Sequence, residues 1–296
     1  MADERFFPPT SFVSPPPEFA SYQRARVVVL PVPYDSTTTA RAGARDGPGA
    51  IIAASEDMEL YDADLGYEPY RWGIHTLPEL APALGNAELT ISRIEEVVSE
   101  LLADGKFVVT LGGEHTVAVG SARAHARRHD GLSVLAIDAH ADLRDRYLDS
   151  PYNHACTLRR ILEVAPVTQV GLRSAEAGEA ALIRERGLAF YAPQAYRRLA
   201  GGPREVVERL SDAVYITIDL DGLDPSQMAA VGTPEPGGLL WDELVELLAA
   251  VAAARRIVGF DVTELAPDEG PRACAQLAAK LTYRLIGLAL GPPGEA

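Results

Sequence analysis

Residues 133–142 read SVLAIDAHAD, a short apolar run that breaks into Asp138, His140 and Asp142 at alternate positions. The run is too short for a typical helix and has the length and composition of a buried strand. Alternate strand residues share a face, so Asp138 and His140 point together. Asp142 lies just past the strand, where the backbone can turn it back toward the same place.

The same construction recurs along the chain. FVVTLGG (107–113) leads into Glu114-His115, AVYITIDLD (213–221) ends in Asp219 and Asp221, and IVGFDVTEL (257–265) carries Glu264. VVVLPVP (27–33) and VTQVGLR (167–173) are further runs of this kind. Between them lie helical patterns: SRIEEVVSELLADG (92–105), AEAGEAALIRERG (175–187), PREVVERL (203–210), LLWDELVELLAAVAAARR (239–256) and CAQLAAKLTYRLIGLAL (274–290). Ser92 and Glu95 have the spacing of a capping box. The last helix is apolar almost all round, which predicts core burial. Near-continuous apolar strands alternating with helices predict an α/β fold with a parallel sheet covered on both faces. Residues 1–25 are assigned to a proline-rich arm, extended along the surface or a neighbouring subunit, with five prolines before residue 23. Residues 26–296 form one domain.

In open α/β sheets, ligands bind outside the carboxyl ends of the strands. Four aspartates and two histidines gathered there would repel one another if uncompensated. A single Asp at a strand end is ordinarily a cap or turn residue. Six such groups drawn from three separate strand ends fit that reading poorly. Carboxylate and imidazole suit a divalent ion, manganese first, then iron, cobalt or zinc. Six ligands are too many for one catalytic ion that must keep open positions, and suit two ions sharing carboxylates. By charge, four aspartates balance two divalent ions, and a bridging hydroxide leaves the site at −1, which favours a cationic substrate. His125 and His129, in SARAHARRHDG, are read as surface residues.

The chain has 296 residues and a formal net charge of −15. That charge argues against nucleic acid as the main partner. No apolar run approaches the roughly 20 residues of a membrane span, and the first residues lack signal-peptide features, so the expectation is a cytoplasmic protein with no membrane partner. Cys156 and Cys274 are the only cysteines, too few for a disulfide framework, and neither is given a chemical role.

As an ordered set, GGEHT (112–116), IDAHADLRD (137–145), ITIDLDGLDP (216–225), GTPEPGG (232–238) and FDVTEL (260–265) resemble the ureohydrolases, the arginase and agmatinase family. YDSTTTARAGARDGPGAI (34–51) and VGLRS (170–174) are similar to further family segments. The resemblance covers roughly residues 26–290 and is closest to agmatinases. It implies a three-layer α/β/α arginase-like fold with a mainly parallel central sheet and two Mn2+ per subunit. One ion would be held by His115, Asp138, Asp142 and Asp219. The other would be held by His140, Asp138, Asp219 and Asp221. His154 falls at the family's catalytic histidine, Glu264 at the carboxylate that grips the guanidinium, and Asp142 would orient a metal-bridging hydroxide.

The implied reaction converts agmatine to putrescine and urea, a step of polyamine biosynthesis. Tyr147, Tyr152, Asn153 and Glu176 are candidates for the substrate's tail, Glu176 as partner of its distal amine. A helix-start role is the plainer reading of Glu176. Arg144 and Arg146 could instead read a carboxylate, or pair with Asp145 and Asp149. The alternatives are guanidinobutyrase, arginase or formimidoylglutamase activity and, more remotely, a non-catalytic structural subunit. The family commonly forms trimers or hexamers. This chain departs from the pattern at Glu114 and Thr116, where aspartate and serine are frequent, at Ala155 for a glycine, and at Ala229-Ala230-Val231 for Pro-Gly-Thr.

Overall fold

The structure, a computed structural model, describes residues 10–294. Eight strands form one sheet: β1 (Val27–Val32), β2 (Ile74–Thr76), β3 (Phe107–Gly112), β4 (Ser133–Ile137), β5 (Val167–Val170), β6 (Ala189–Tyr191), β7 (Ala213–Asp219) and β8 (Arg256–Thr263). Their order is β2-β1-β3-β8-β7-β4-β5-β6, and every pairing is parallel. The helices are α1 (Pro17–Ala20), α2 (Gly47–Ser55), α3 (Ala87–Ala103), α4 (Ala118–Arg128), α5 (Thr157–Ile161), α6 (Ala177–Arg186), α7 (Pro193–Tyr196), α8 (Pro203–Val207), α9 (Trp241–Ala254) and α10 (Ala273–Leu290).

The strand residues divide by alternation into two cores, as a sheet buried on both faces requires. Val27, Val29, Val109, Ile137, Ile216 and Phe260 face α2, α9 and α10. Val28, Leu30 and Val108 face α3 and α4, and Val134, Ala136 and Tyr215 continue that layer under α4 and α5. The chain is therefore a three-layer α/β/α sandwich, as the sequence implied.

Several local expectations need correction. The first long helix begins at Ala87, capped by Asn86, whose side chain accepts from the Leu89 amide. Ser92 therefore sits mid-helix with its hydroxyl on the Glu88 carbonyl, and Glu95 pairs with Arg127. Strands β2 and β6 are three residues each, too short for an alternation signal. Of the proline-rich arm, residues 1–9 lie outside the described residues. Residues 10–25 are not simply extended: α1 forms there, and Phe12 and Val13 enter this chain's own core. Their amides donate to Thr76 Oγ1 and Ser55 Oγ at 2.9 and 2.7 Å. His125 is not on the surface either. It is fully buried against the Tyr215 ring, with centroids 4.5 Å apart. Among the described residues, no helix is long and apolar enough to cross a membrane.

Candidate metal centre

The polar strand ends come from four adjacent strands, β3, β8, β7 and β4, in the middle of the sheet. Each segment uses a tight local device to turn its side chains inward. After β4, Asp138 Oδ1 accepts the His140 amide at 2.6 Å; after β7, Asp219 Oδ1 accepts the Asp221 amide at 2.9 Å. These paired turns commit one oxygen of each aspartate to its own backbone. After β3, Gly113 lets the chain cross so close to the segment after β1 that a Cβ there would lie 2.1 Å from the Tyr34 carbonyl oxygen. His115 follows at once. Asp142 and Glu264 adopt φ of +48° and +68°, a left-handed conformation uncommon for these residues and frequent at functional sites.

His115 Nδ1 lies 3.0 Å from Asp142 Oδ2, 3.3 Å from Asp138 Oδ2 and 3.5 Å from Asp219 Oδ2. His140 Nδ1 lies 2.8 Å from Asp221 Oδ2 and 3.9 Å from Asp138 Oδ1. Two donor groups result, His115–Asp138–Asp219 and Asp138–His140–Asp221, each with its ligand atoms within 4.8 Å of one another, and Asp138 belongs to both.

The electrostatics fit divalent cations. Asp138 Oδ2 is buried with no hydrogen-bond partner, a costly state for a carboxylate oxygen unless a cation meets it. Burial, then the Asp142 charge, pushes Asp138 up to about 7. Burial, then Asp221 and Asp138, pushes Asp219 well above the usual carboxylate range. Burial opposes charge on His140, but Asp221 overrides it and raises the imidazole to about 10. His115 is likewise raised against burial by Asp138 and Asp142. A buried carboxylate set that resists its own ionisation in this way suits divalent cations.

Above this cluster lies a cavity of about 290 Å³ lined by, among others, Thr39, His140, Tyr147, His154, Glu176 and Glu264. Glu264 Oε1 accepts the His115 amide at 2.6 Å; burial, then the Glu114 charge, raises its carboxyl to about 8. His154 Nδ1 is 2.9 Å from the Thr37 carbonyl oxygen, its Nε2 is 3.4 Å from Thr39 Oγ1, and burial lowers its pKa. Tyr147 stands edge-on to His154.

The remaining tail candidates are placed otherwise. Asn153 is buried, caps the turn at His154 by accepting the Ala155 amide, and donates to the Thr37 carbonyl. Tyr152 lies against the Arg123 guanidinium in the α4–α5 layer. Glu176 is on the cavity wall but also caps α6 and pairs with Arg144 at 2.8 Å. Arg144, stacked on Tyr147, is thus engaged by Glu176 rather than by a neighbouring aspartate. Arg146 bonds the Asp149 carbonyl rather than its side chain.

Sequence reasoning missed the supporting groups. Behind His115, Nε2 is 3.0 Å from Thr217 Oγ1, which donates to Asp261 Oδ1 at 2.7 Å, and Tyr215 donates to Asp261 Oδ2. Gln169 Nε2 donates to the carbonyls of Asp138 and His140. The signal available was a charged or amide residue inside an apolar run, Asp261 in IVGFDVT and Gln169 in VTQV.

A parallel α/β sandwich with a carboxylate–imidazole cluster under a cavity at its strand ends is a frame suited to holding divalent cations within reach of a ligand. The Arginase family model matches residues 25–287. The N(1)-aminopropylagmatine ureohydrolase of Synechocystis sp. is 39% identical, over 94% of this chain and 96% of that one. An enzyme of the same name from Thermus thermophilus is 41% identical, over 91% and 92%. The solved structure of the agmatine ureohydrolase of Thermoplasma volcanium superimposes with a TM-score of 0.86 at 31% identity, covering 96% of each chain. This chain belongs to the arginase family of ureohydrolases.

Proposed function

We propose that the chain is a binuclear manganese ureohydrolase that releases urea from an agmatine-type guanidino amine, N(1)-aminopropylagmatine ahead of agmatine. The observation that carries the proposal is the pair of donor groups sharing Asp138 beneath a cavity walled by Glu264 and His154. One ion would sit among His115, Asp138, Asp142 and Asp219, the other among His140, Asp138, Asp219 and Asp221. When bound, such a pair supplies the Lewis acidity that lets water ionise near neutral pH.

The chain's own side chains do the rest. A guanidinium carbon is a poor electrophile and must be held in line with its nucleophile. Glu264, anchored through Oε1, offers Oε2 to guanidinium N–H groups and fixes the plane of the substrate. Asp142 accepts a hydrogen bond from the attacking oxygen and aims its lone pair at the guanidinium carbon. The tetrahedral adduct collapses only if the departing amine gains a proton. His154 is the carrier: its Nδ1–H is committed to the Thr37 carbonyl, and Nε2 takes a proton from solvent at the cavity wall and delivers it to the amine nitrogen as the C–N bond breaks.

The amine class follows from the cavity's cations. Arg144 is paired with Glu176 and Arg41 with Glu269, so both arginines on the wall are engaged and neither invites a substrate carboxylate. Two relatives named for N(1)-aminopropylagmatine, at 39% and 41% identity, support that substrate as the first reading. The Thermoplasma structure supports agmatine as the second reading. Assembly as a trimer or hexamer is proposed from the resemblance alone and is read by light scattering.

The test is a manganese-loaded enzyme offered N(1)-aminopropylagmatine, agmatine, arginine, guanidinobutyrate and formimidoylglutamate, with urea and formamide measured separately. The two amines should exceed the guanidino acids in kcat/KM by about 100-fold, since a misplaced carboxylate leaves a buried charge unpaired. Preference for arginine or guanidinobutyrate, or formamide as the main product, would overturn the assignment.

A further inference from the structure

Behind His154 a relay of hydrogen bonds runs back to a carboxylate. His154 Nδ1 is 2.9 Å from the Thr37 carbonyl oxygen, and its amide donates to Thr37 Oγ1 at 3.1 Å. Asn153 Nδ2 donates to the same carbonyl at 3.2 Å. Thr37 is held in turn by Glu114, whose Oε2 accepts its amide at 2.7 Å and whose Oε1 accepts its hydroxyl at 2.5 Å. Glu114 itself is fully buried.

Thr37 Oγ1 also lies 3.4 Å from Thr116 Oγ1, and the shorter contacts assign the donors and acceptors of the relay. A carbonyl oxygen only accepts, so the proton of a neutral His154 ring must sit on Nδ1, leaving Nε2 as the basic atom. The Thr37 hydroxyl has one proton. That proton points to Glu114 Oε1, and the Thr37 oxygen turns its lone pair to the His154 amide. An amide side chain at 114 could donate instead and would leave the hydroxyl free to reverse. Two bonds from one carboxylate to one residue also fix the plane of that residue's backbone, and so the direction its carbonyl presents to the imidazole.

We propose that Glu114 and Thr37 are positioning residues for His154: they fix its tautomer and aim Nε2 into the cavity. The proposal rests on the reading of His154 as the proton carrier. It accounts for a buried acid that the donor groups do not use and that sequence comparison marks only as a departure.

The test compares Thr37→Val, Thr37→Ser, His154→Ala and the double variant Thr37→Val/His154→Ala, all loaded with manganese. His154→Ala should lower kcat about 100-fold. Thr37→Val should lower kcat about 10-fold or more while KM stays within about twofold, the pattern of a misdirected catalytic group. Thr37→Ser, which keeps the hydroxyl, should recover kcat to within about threefold. In the His154→Ala background, Thr37→Val should change kcat by less than about twofold, because the group it served is gone. Equal losses in both backgrounds would overturn the proposal. A crystal structure of Thr37→Val decides the point without activity. A turned or divided imidazole supports the relay, and a ring unmoved from its place refutes it. Should His154→Ala retain full kcat, the role given to His154 in the reaction fails, and the position of the ring in that crystal structure still decides the relay.

Discussion

At the scale of single residues, the centre is built from side chains with divided duties. Asp138 spends Oδ1 on the amide of His140 and leaves Oδ2 without a protein hydrogen bond, 3.3 Å from His115 Nδ1. Asp138→Asn keeps the shape and the turn but removes the charge common to both donor groups. The variant should fold, shown by an unchanged circular dichroism spectrum, yet lose both ions on dialysis, as read by elemental analysis. Retention of both would show that Asp138 is not the shared ligand. His125, at the far side of β8, gives a separate test. Burial lowers it to about 4, so the folded protein resists the proton that an unfolded chain accepts near pH 6.5. The unfolded state then binds more protons between pH 6.5 and 4, and stability falls as pH falls through that window. For so large a shift the loss is up to about 3 kcal/mol. His125→Gln should therefore show a flatter urea midpoint than the native chain between pH 6.5 and 4, and parallel curves would dismiss the argument.

At the scale of elements, strand ends and helix starts are locked together. Glu179, in the first turn of α6, accepts the Glu176 amide at 2.8 Å and the Leu143 amide at 2.8 Å. It therefore closes a capping box and also tethers the segment that follows Asp142. Glu179→Ala leaves a buried amide unpaired, at a cost of about 1–3 kcal/mol. The urea midpoint should fall without a change in the slope of the transition, and manganese should be held more weakly because Asp142 loses its tether. Elements of this kind bear on how much the sequence could tell. The six strands of four or more residues and the acids at the ends of four of them were legible, because burial on both faces writes a continuous apolar run and a polar ending interrupts it. Three-residue β2 and β6 leave no periodicity to read. The start of α3 was missed by six residues, because Ser92 and Glu95 imitate a cap that Asn86 supplies. His125 was misplaced because its helix, rich in arginine, reads as polar, although one face turns inward onto Tyr215. The Glu114–Thr37–His154 relay joins positions 77 and 117 residues apart, a relation that only the packed fold expresses.

At the scale of the whole molecule, the sheet gathers like charges at the carboxyl ends of its central strands, where cations would compensate them, so stability, metal and pH become one linked problem. Without ions, the raised carboxyls of Asp138, near 7, and Glu264, near 8, bind protons in the folded state that an unfolded chain releases near pH 4. Stability from these groups therefore falls as pH rises from about 4 to 8. His140, raised to about 10, contributes stability that is complete below about 6.5 and lost as pH rises toward 10. Both effects have the same sign, opposite to that of His125: above about pH 6.5, where His125 no longer titrates, the metal-free protein should weaken as pH rises. Divalent ions act oppositely, because they bind the deprotonated donors and compete with those protons. Each ion held at 100 times its dissociation constant adds about 3 kcal/mol of folding free energy. The drop in melting temperature on chelation should accordingly be small near pH 6 and largest near pH 9. Returning manganese should restore it, and magnesium, which favours oxygen ligands, should restore it less. A chelator effect independent of pH would mean that these carboxylates and imidazoles do not hold the ions.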